Sequence, residues 1–199
     1  GGAARPARLH PGMNRYQWNM RYPDAVEVKG LFHSGFSASV PAGPEVVPGT
    51  YAVTLSYGAT TDQQTFEVKL DPRLQTTQAQ LQQRFDLLLR IHDAINRLDT
   101  SLNQALDARD ALQKSGANSA QLQALNRDID DLVDLKIQSG EGALVYPGRL
   151  RAWLSAISGQ VSMALVPPTP GMVQVADDYI QQAGAGVARL QADLSASNY

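Results

Sequence analysis

The sequence contains no cysteine, which excludes disulfides, thiolate metal sites and a cysteine nucleophile. It has no run approaching the ~20 apolar residues of a membrane-spanning helix. Neither sign of charge dominates: 17 basic and 19 acidic residues leave a net charge of −2. That balance argues against nucleic acid as the main partner. There is no Gly-x-Ser-x-Gly elbow, phosphate loop or His-Glu-x-x-His pair, so three common routes to hydrolysis or phosphoryl transfer lack their signature. The first residues, Gly1, Gly2, Ala3 and Ala4, include no initiator Met and do not resemble a signal peptide. The chain therefore reads as a fragment, processed or cut out, with room for a catalytic part outside it.

What is present suffices for folding. A hydrophobic content of 43% in 199 residues excludes a disordered polypeptide and allows one large domain or two small ones. Proline marks a division. Pro6, Pro11, Pro23, Pro41, Pro44, Pro48 and Pro72 crowd the first part, and the next proline is Pro147. Since proline breaks a helix interior, the span 73–146 is where long helices can run.

The first part reads as strands. Bulky apolar residues take every second position at Tyr16, Trp18 and Met20, at Tyr51, Val53, Leu55 and Tyr57, and then at Phe66, Val68 and Leu70. A period of two buries one face of a sheet. Pro48-Gly49 and the Gly58 to Asp62 stretch supply turns, and the last two runs form a hairpin. Val26 and Val28 suggest a further strand. A small antiparallel sandwich is the simplest home for these strands.

The second part reads as helices. Leu81, Phe85, Leu88, Ile95, Leu102 and Leu106 leave one apolar stripe. Thr77 with Gln80 fits a capping box and Gly116 a C-terminal cap, so a helix over 77–114 runs roughly 57 Å. Asn118 and Gln121 open a second helix carrying Leu122, Leu125, Ile129, Leu132 and Leu135, which ends at Gly140 and Gly142. A third starts near Gly148, with Leu150, Leu154, Ile157 and Val161 facing inward. Thr169 caps a fourth with Pro170 at its first position, and Ile180, Ala183, Val187, Leu190 and Leu194 line its inner face. Short connections favour an antiparallel up-down four-helix bundle. The fourth helix is expected to lie against the first and cover Leu98, Leu102 and Leu106.

One resemblance is specific. Pro11-Gly12-Met13-Asn14-Arg15-Tyr16-Gln17-Trp18-Asn19-Met20-Arg21-Tyr22-Pro23-Asp24-Ala25 resembles the "PGxNRxxWxxRYPxA" segment of bacterial BNR-repeat, or sortilin-like, glycosyl hydrolases. Val47-Pro48-Gly49-Thr50-Tyr51-Ala52-Val53-Thr54-Leu55 is similar to that family's "VPGTYxVxL". Phe66-Glu67-Val68-Lys69-Leu70-Asp71-Pro72-Arg73-Leu74 is similar to its "FxVxxDPR", and Pro168-Thr169-Pro170 falls where the family often shows Pro-Thr before its last helix. The resemblance implies a region that follows a large β-propeller. Its strand-rich part is similar to the immunoglobulin-like domain of flagellar hook-capping proteins. The chain itself carries no Ser-x-Asp-x-Gly-x-x-Trp box and no Trp-Gly-rich insert between Ala25 and Val47.

The fold expected is therefore α+β: an immunoglobulin-like antiparallel β-sandwich over 1–72, then an antiparallel four-helix bundle over 73–199. The resemblance implies a secreted bacterial protein, periplasmic or extracellular. This region would be a non-catalytic C-terminal accessory part that packs on the propeller or presents a surface to another protein. Two alternatives stand beside it. One is a glycoside hydrolase whose catalytic residues lie mainly in the propeller. The other is a carbohydrate-binding module, with Trp18 and Tyr51 as a stacking platform if they are not core.

No residue is assigned a catalytic, cofactor-binding or metal-ligating role. Asp128, Asp130, Asp131 and Asp134 are close enough on a helix for a carboxylate pair. They read as a solvated face, with a weak divalent-ion site the alternative. Asp177 and Asp178 fall near the start of the last helix, where they would offset its dipole. His10, His33 and His92 are too scattered for a metal triad. His92 interrupts the apolar stripe and reads as a neutral, hydrogen-bonded histidine. Arg21 and Arg73 are candidates for linking the two halves, and Gly184 and Gly186 for letting a neighbouring helix approach.

Overall fold

The capping signals at Thr77 operate as expected. In the computed structural model, which describes residues 10–31, 42–116, 120–135 and 148–196, helix α1 spans Gln78–Lys114. The Thr77 hydroxyl accepts from the Gln80 amide, and the Gln80 side chain accepts from the Thr77 amide. Ser115 and Gly116 end the helix by donating to Ala111 and Gln113 carbonyls, with Gly116 at φ 73°. At 1.5 Å per residue, 37 residues span about 55 Å.

Three shorter helices follow among the described residues: α2 (Ala120–Leu132), α3 (Leu150–Ser162) and α4 (Pro170–Ser195). Thr169 caps α4 by accepting from the Met172 amide at 3.2 Å, with Pro170 opening the helix. The expected cap Asn118 and the stops Gly140 and Gly142 lie outside the described residues. Every pair of helices is in contact, and α1 with α4 is the most extensive. The shared core includes Ile91, Ile95, Leu98 and Leu102 of α1, Leu125 and Ile129 of α2, Leu154 of α3 and Leu190 of α4. Leu98, Leu102 and Leu106 are buried, as the length of α1 demanded. Among the described residues, no helix is long and apolar enough to cross a membrane.

Two close fits set helix positions. A Cβ on Gly186 of α4 would come within 2.5 Å of Leu132 Cδ2 on α2, whereas one on Gly184 would meet nothing within 4 Å. Gly186 therefore admits α2, not α1, and Gly184 admits no neighbour. Buried Arg84 of α1 donates to the Val161 and Ser162 carbonyls at 3.1 and 3.0 Å, capping the C-terminal end of α3 with a cation.

The sheet differs from expectation. β1 (Gly49–Tyr57) pairs antiparallel with β2 (Thr60–Val68), Tyr51 opposite Phe66. Gly58, at φ 57°, and Ala59 form a two-residue turn with glycine at its first central position. This hairpin is the whole sheet among the described residues, so the structure is α+β with a two-stranded antiparallel sheet and four helices. A complete sandwich is not formed by the described residues. The period of two at Tyr16, Trp18 and Met20 does not make a strand: Met20 turns to φ 57°, which no pleated strand accommodates. Only a short bridge follows, Arg21 opposite Glu45.

Val26 and Val28 do not make a strand either. Residues 23–29 run as an extended strap along α1, and Ala25 and Val28 enter the helical core. The strap's backbone bonds go to helix side chains. Val26 N–H donates to Asn96 Oδ1 at 2.7 Å and Lys29 N–H to Asn103 Oδ1 at 2.8 Å, while Asn103 Nδ2 donates to the Glu27 carbonyl at 2.9 Å. Lys29 closes the row on Asp107. Buried backbone groups need partners, and here one stripe of α1 supplies them.

Candidate functional site

The hairpin has two chemically different faces. Tyr51, Val53, Leu55 and Tyr57 share one face with Phe66 and Gln64, while Thr50, Ala52, Thr54 and Ser56 lie on the other. Trp18 covers the near end of the apolar face, its ring centroid 5.7 Å from Tyr51 and 5.9 Å from Phe66. Its indole N–H donates to the Arg21 carbonyl at 3.2 Å, and the Tyr51 hydroxyl donates to the Val47 carbonyl at 2.6 Å. Burial pushes the Tyr51 phenol up, with Tyr22 adding to it.

The far end is uncovered. Val53 is 52% exposed, Leu55 59% and Tyr57 73%. Residues 10–16 lie across from them and leave an open cleft of about 1150 Å³, also lined by Met13 and Tyr16. Asp62, Gln64 and Arg15 edge it. An apolar strip with a polar rim is the usual anatomy of a protein-binding patch.

The hairpin is joined to α1 at its base. Glu45 lies between Arg21, at 3.3 Å, and Arg84 of α1, at 3.9 Å. Burial pushes the Arg84 guanidinium down, Glu45 opposes that, and Arg21 adds to it. Gln78 Nε2 donates to the Pro48 carbonyl at 2.7 Å, and Tyr22 packs on Phe85. Arg21 itself stays within the first half, on Glu45 and the Gly43 carbonyl, so the link to α1 expected of it is made by Glu45 and Gln78 instead. Arg73 does not link the halves either: it pairs locally with Asp71, which that hydrogen bond lowers.

A second polar region lies among the helices. Asp130 and Asp131 face solvent, as expected, but Asp128 is buried, because the end of α4 packs over it. Asp128 receives Arg127 Nε at 3.1 Å and faces Arg189 Nε of α4 at 3.5 Å, while Arg189 also donates to Asp131 at 2.8 Å. Burial pushes the Asp193 carboxyl of α4 up, and the charge of nearby Asp128 adds to it. An open cleft of about 700 Å³ is lined by Arg127, Asp128, Asp130, Asp131, Arg149 and Arg189. Among the described residues, no group of three His, Asp or Glu is placed to hold a metal.

The remaining candidates take structural places. His92 Nε2 meets the Pro23 carbonyl at 3.0 Å and Nδ1 meets Asn96 Nδ2 at 3.1 Å. Asn96 Oδ1 is occupied by the Val26 amide, so its Nδ2 must be the donor and His92 Nδ1 the acceptor, which assigns a neutral Nε2–H ring. Asp177 pairs with Arg90 of α1. Beginning at Pro170, the helix has passed its first turn there, so the dipole is not what holds Asp177. His10 edges the hairpin cleft, and His33 lies outside the described residues.

The sequence reading missed one pair. Asp99 of α1 and Arg151 of α3 are both at most 1% exposed, and the guanidinium reaches both carboxylate oxygens at 2.9–3.3 Å. Burial pushes the Asp99 carboxyl up, and Arg151 acts against that. The available signal was a charge set beside Leu98 and Leu102 on the apolar stripe. The chain matches no protein-family model, and no curated protein or solved structure matches it either.

Proposed function

We propose that this chain is an interaction module: a helical support carrying an amphipathic hairpin that docks on another protein surface. The exposed strip Val53, Leu55 and Tyr57, facing the cleft with Met13 and Tyr16, carries this reading. An apolar strip of that kind is rarely left uncovered without a partner. A sugar platform fits less well. Valine and leucine offer no flat ring face, and Trp18 is already engaged by Tyr51 and Phe66.

The resemblance of residues 11–25, 47–55 and 66–74 to the sortilin-like family supplies the partner. In this proposal the chain is the C-terminal accessory region of a secreted bacterial propeller protein, periplasmic or extracellular, and the strip packs on the propeller. In the same proposal the hairpin belongs to an immunoglobulin-like sandwich. The four helices form the antiparallel bundle behind it.

The test is titration calorimetry of the full chain against a sortilin-type propeller. Exposed Val53→Glu and Leu55→Glu together should weaken binding at least tenfold and leave the helical circular dichroism unchanged. Equal binding by this double variant would refute the assignment, as would an oligosaccharide that competes through Tyr57.

A further inference from the structure

A two-stranded hairpin has two outer edges whose backbone groups await partners. In a hairpin closed by a two-residue turn, the pair flanking the turn exchanges backbone hydrogen bonds, and so does every second pair after it. Tyr57 with Thr60, Leu55 with Asp62, Val53 with Gln64 and Tyr51 with Phe66 are therefore bonded to each other. The amides and carbonyls of Thr50, Ala52, Thr54 and Ser56 point outward along the free edge of β1. Among the described residues no hydrogen bond from outside the hairpin reaches these backbone groups, and the four residues are exposed.

The two edges are not alike. β2 carries Asp62 and Glu67, and the outward amide of Gln63 is met by Asp62 Oδ1 at 2.9 Å. Charges of this kind guard an edge against another strand. β1 has no charged residue and no proline between Gly49 and Tyr57, so its edge is unguarded. Its sequence is also nearly symmetric. About Thr54, Val53 is matched by Leu55, Ala52 by Ser56 and Tyr51 by Tyr57.

We propose that β1 pairs antiparallel with β1 of a second copy of this chain, about a two-fold axis at Thr54. This register satisfies the backbone, because Thr54 meets Thr54 of the second copy and Ala52 meets its Ser56, outward groups against outward groups. The side chains agree. On the apolar face Val53 comes opposite the second copy's Leu55, and Tyr57 opposite its Tyr51, the kind of cross-strand pair that stabilises a sheet. Tyr57, 73% exposed in the single chain, is thereby set beside a ring on which Trp18 already packs. The seam carries no charge, so two copies meet there without repulsion, whereas each β2 edge would bring Asp62 and Glu67.

The product is a four-stranded sheet joined through an isologous interface. That passes the three strands a sheet needs for stability of its own. Thr54 lies on the polar face, away from Val53, Leu55 and Tyr57, so this pairing and the docking of the apolar strip can fail separately.

Sedimentation velocity of the full chain across a range of concentrations tests the pairing. The wild type should be dimeric when concentrated and dissociate on dilution. Thr54→Lys sets two ammonium groups face to face on the axis and should raise the dissociation constant by about tenfold or more. Thr65→Lys places the same charge on β2, off the seam, and should leave it within about twofold of the wild type. The chain has no cysteine, so Thr54→Cys supplies a lone thiol. Bonded antiparallel pairs stand about 5.5 Å apart at Cα, inside the ~4.4–6.8 Å that a disulfide spans. Mild oxidation should link Thr54→Cys to its own copy and leave Thr65→Cys mostly unlinked. A wild type that stays monomeric at every concentration, a Thr54→Lys variant that dimerises as the wild type does, or equal cross-linking of the two cysteine variants would each overturn the pairing.

Discussion

Replacing Arg151 by methionine removes the cation from a carboxylate with no access to water. Met preserves most of the side-chain volume, so the main change is that Asp99, fully buried on α1, loses its bidentate partner. Breaking one side of a buried pair costs about 3–5 kcal/mol. That is a large share of the ~5–15 kcal/mol that holds a typical domain folded. Ser155 does not add to the loss, because its hydroxyl also bonds the Arg151 carbonyl. The deficit should depend on pH. Burial already raises Asp99, and without Arg151 nothing opposes it. The folded variant then binds a proton that the unfolded chain releases, so its stability relative to the wild type recovers as pH falls. Once Asp99 is neutral, about 1–3 kcal/mol should remain for an unsatisfied polar group. Urea unfolding followed by circular dichroism at pH 7.5 and 5.0 measures both quantities. The double variant Asp99→Leu with Arg151→Met should return to within about 2 kcal/mol of the wild type or exceed it. Additive losses in the double variant, or a single-variant cost below about 1 kcal/mol, would refute the reasoning.

Three further outcomes can be checked by the same unfolding measurements and by proteolysis. Gly184→Ala should stabilise by up to about 1 kcal/mol through helix propensity, whereas Gly186→Ala drives a methyl into Leu132 and should destabilise by about 1–3 kcal/mol. Asn103→Ala removes two bonds to the strap, at the Lys29 amide and the Glu27 carbonyl. It should cost about 1–2 kcal/mol and make residues 23–29 cleavable at lower protease concentrations. Trp18→Ala deletes two ring contacts worth about 0.5–1.5 kcal/mol each. It should loosen the hairpin without lowering the melting temperature of the helices.

The helices were legible because their signals are local. Thr77 and Gln80 are three residues apart, Thr169 and Pro170 are adjacent, and the stripe from Leu81 to Leu106 repeats within each turn. The strap was not legible. Its Val26 and Val28 alternate just as a strand's residues do, since both conformations are extended, but the hydrogen bonds come from Asn96 and Asn103, about 70 residues later. Asp128 stands three residues after Leu125 and four before Leu132, so the period of α2 already sets it on the flank of the apolar stripe, and Arg189 of α4 meets it there. Asp99 did carry a sign, a carboxylate on a buried stripe. Its partner sits on another helix at no characteristic spacing.

The strap has a consequence for how the chain acquires its structure. Contacts such as Lys29 to Asn103 and Lys29 to Asp107 join residues 74 and 78 positions apart. At a synthesis rate of roughly 5–20 residues per second, the strap leaves the ribosome about 4–15 seconds before its half of α1 does. During that interval Val28, which ends 1% exposed, has no helix to enter, and the backbone amides of Val26 and Lys29 are free to pair with any other extended segment. Asn96 and Asn103 then act as a delayed template. They accept the strap in only one register, because the amide groups are seven residues apart on a rigid helix and a shift of one position along the strap would misalign every bond.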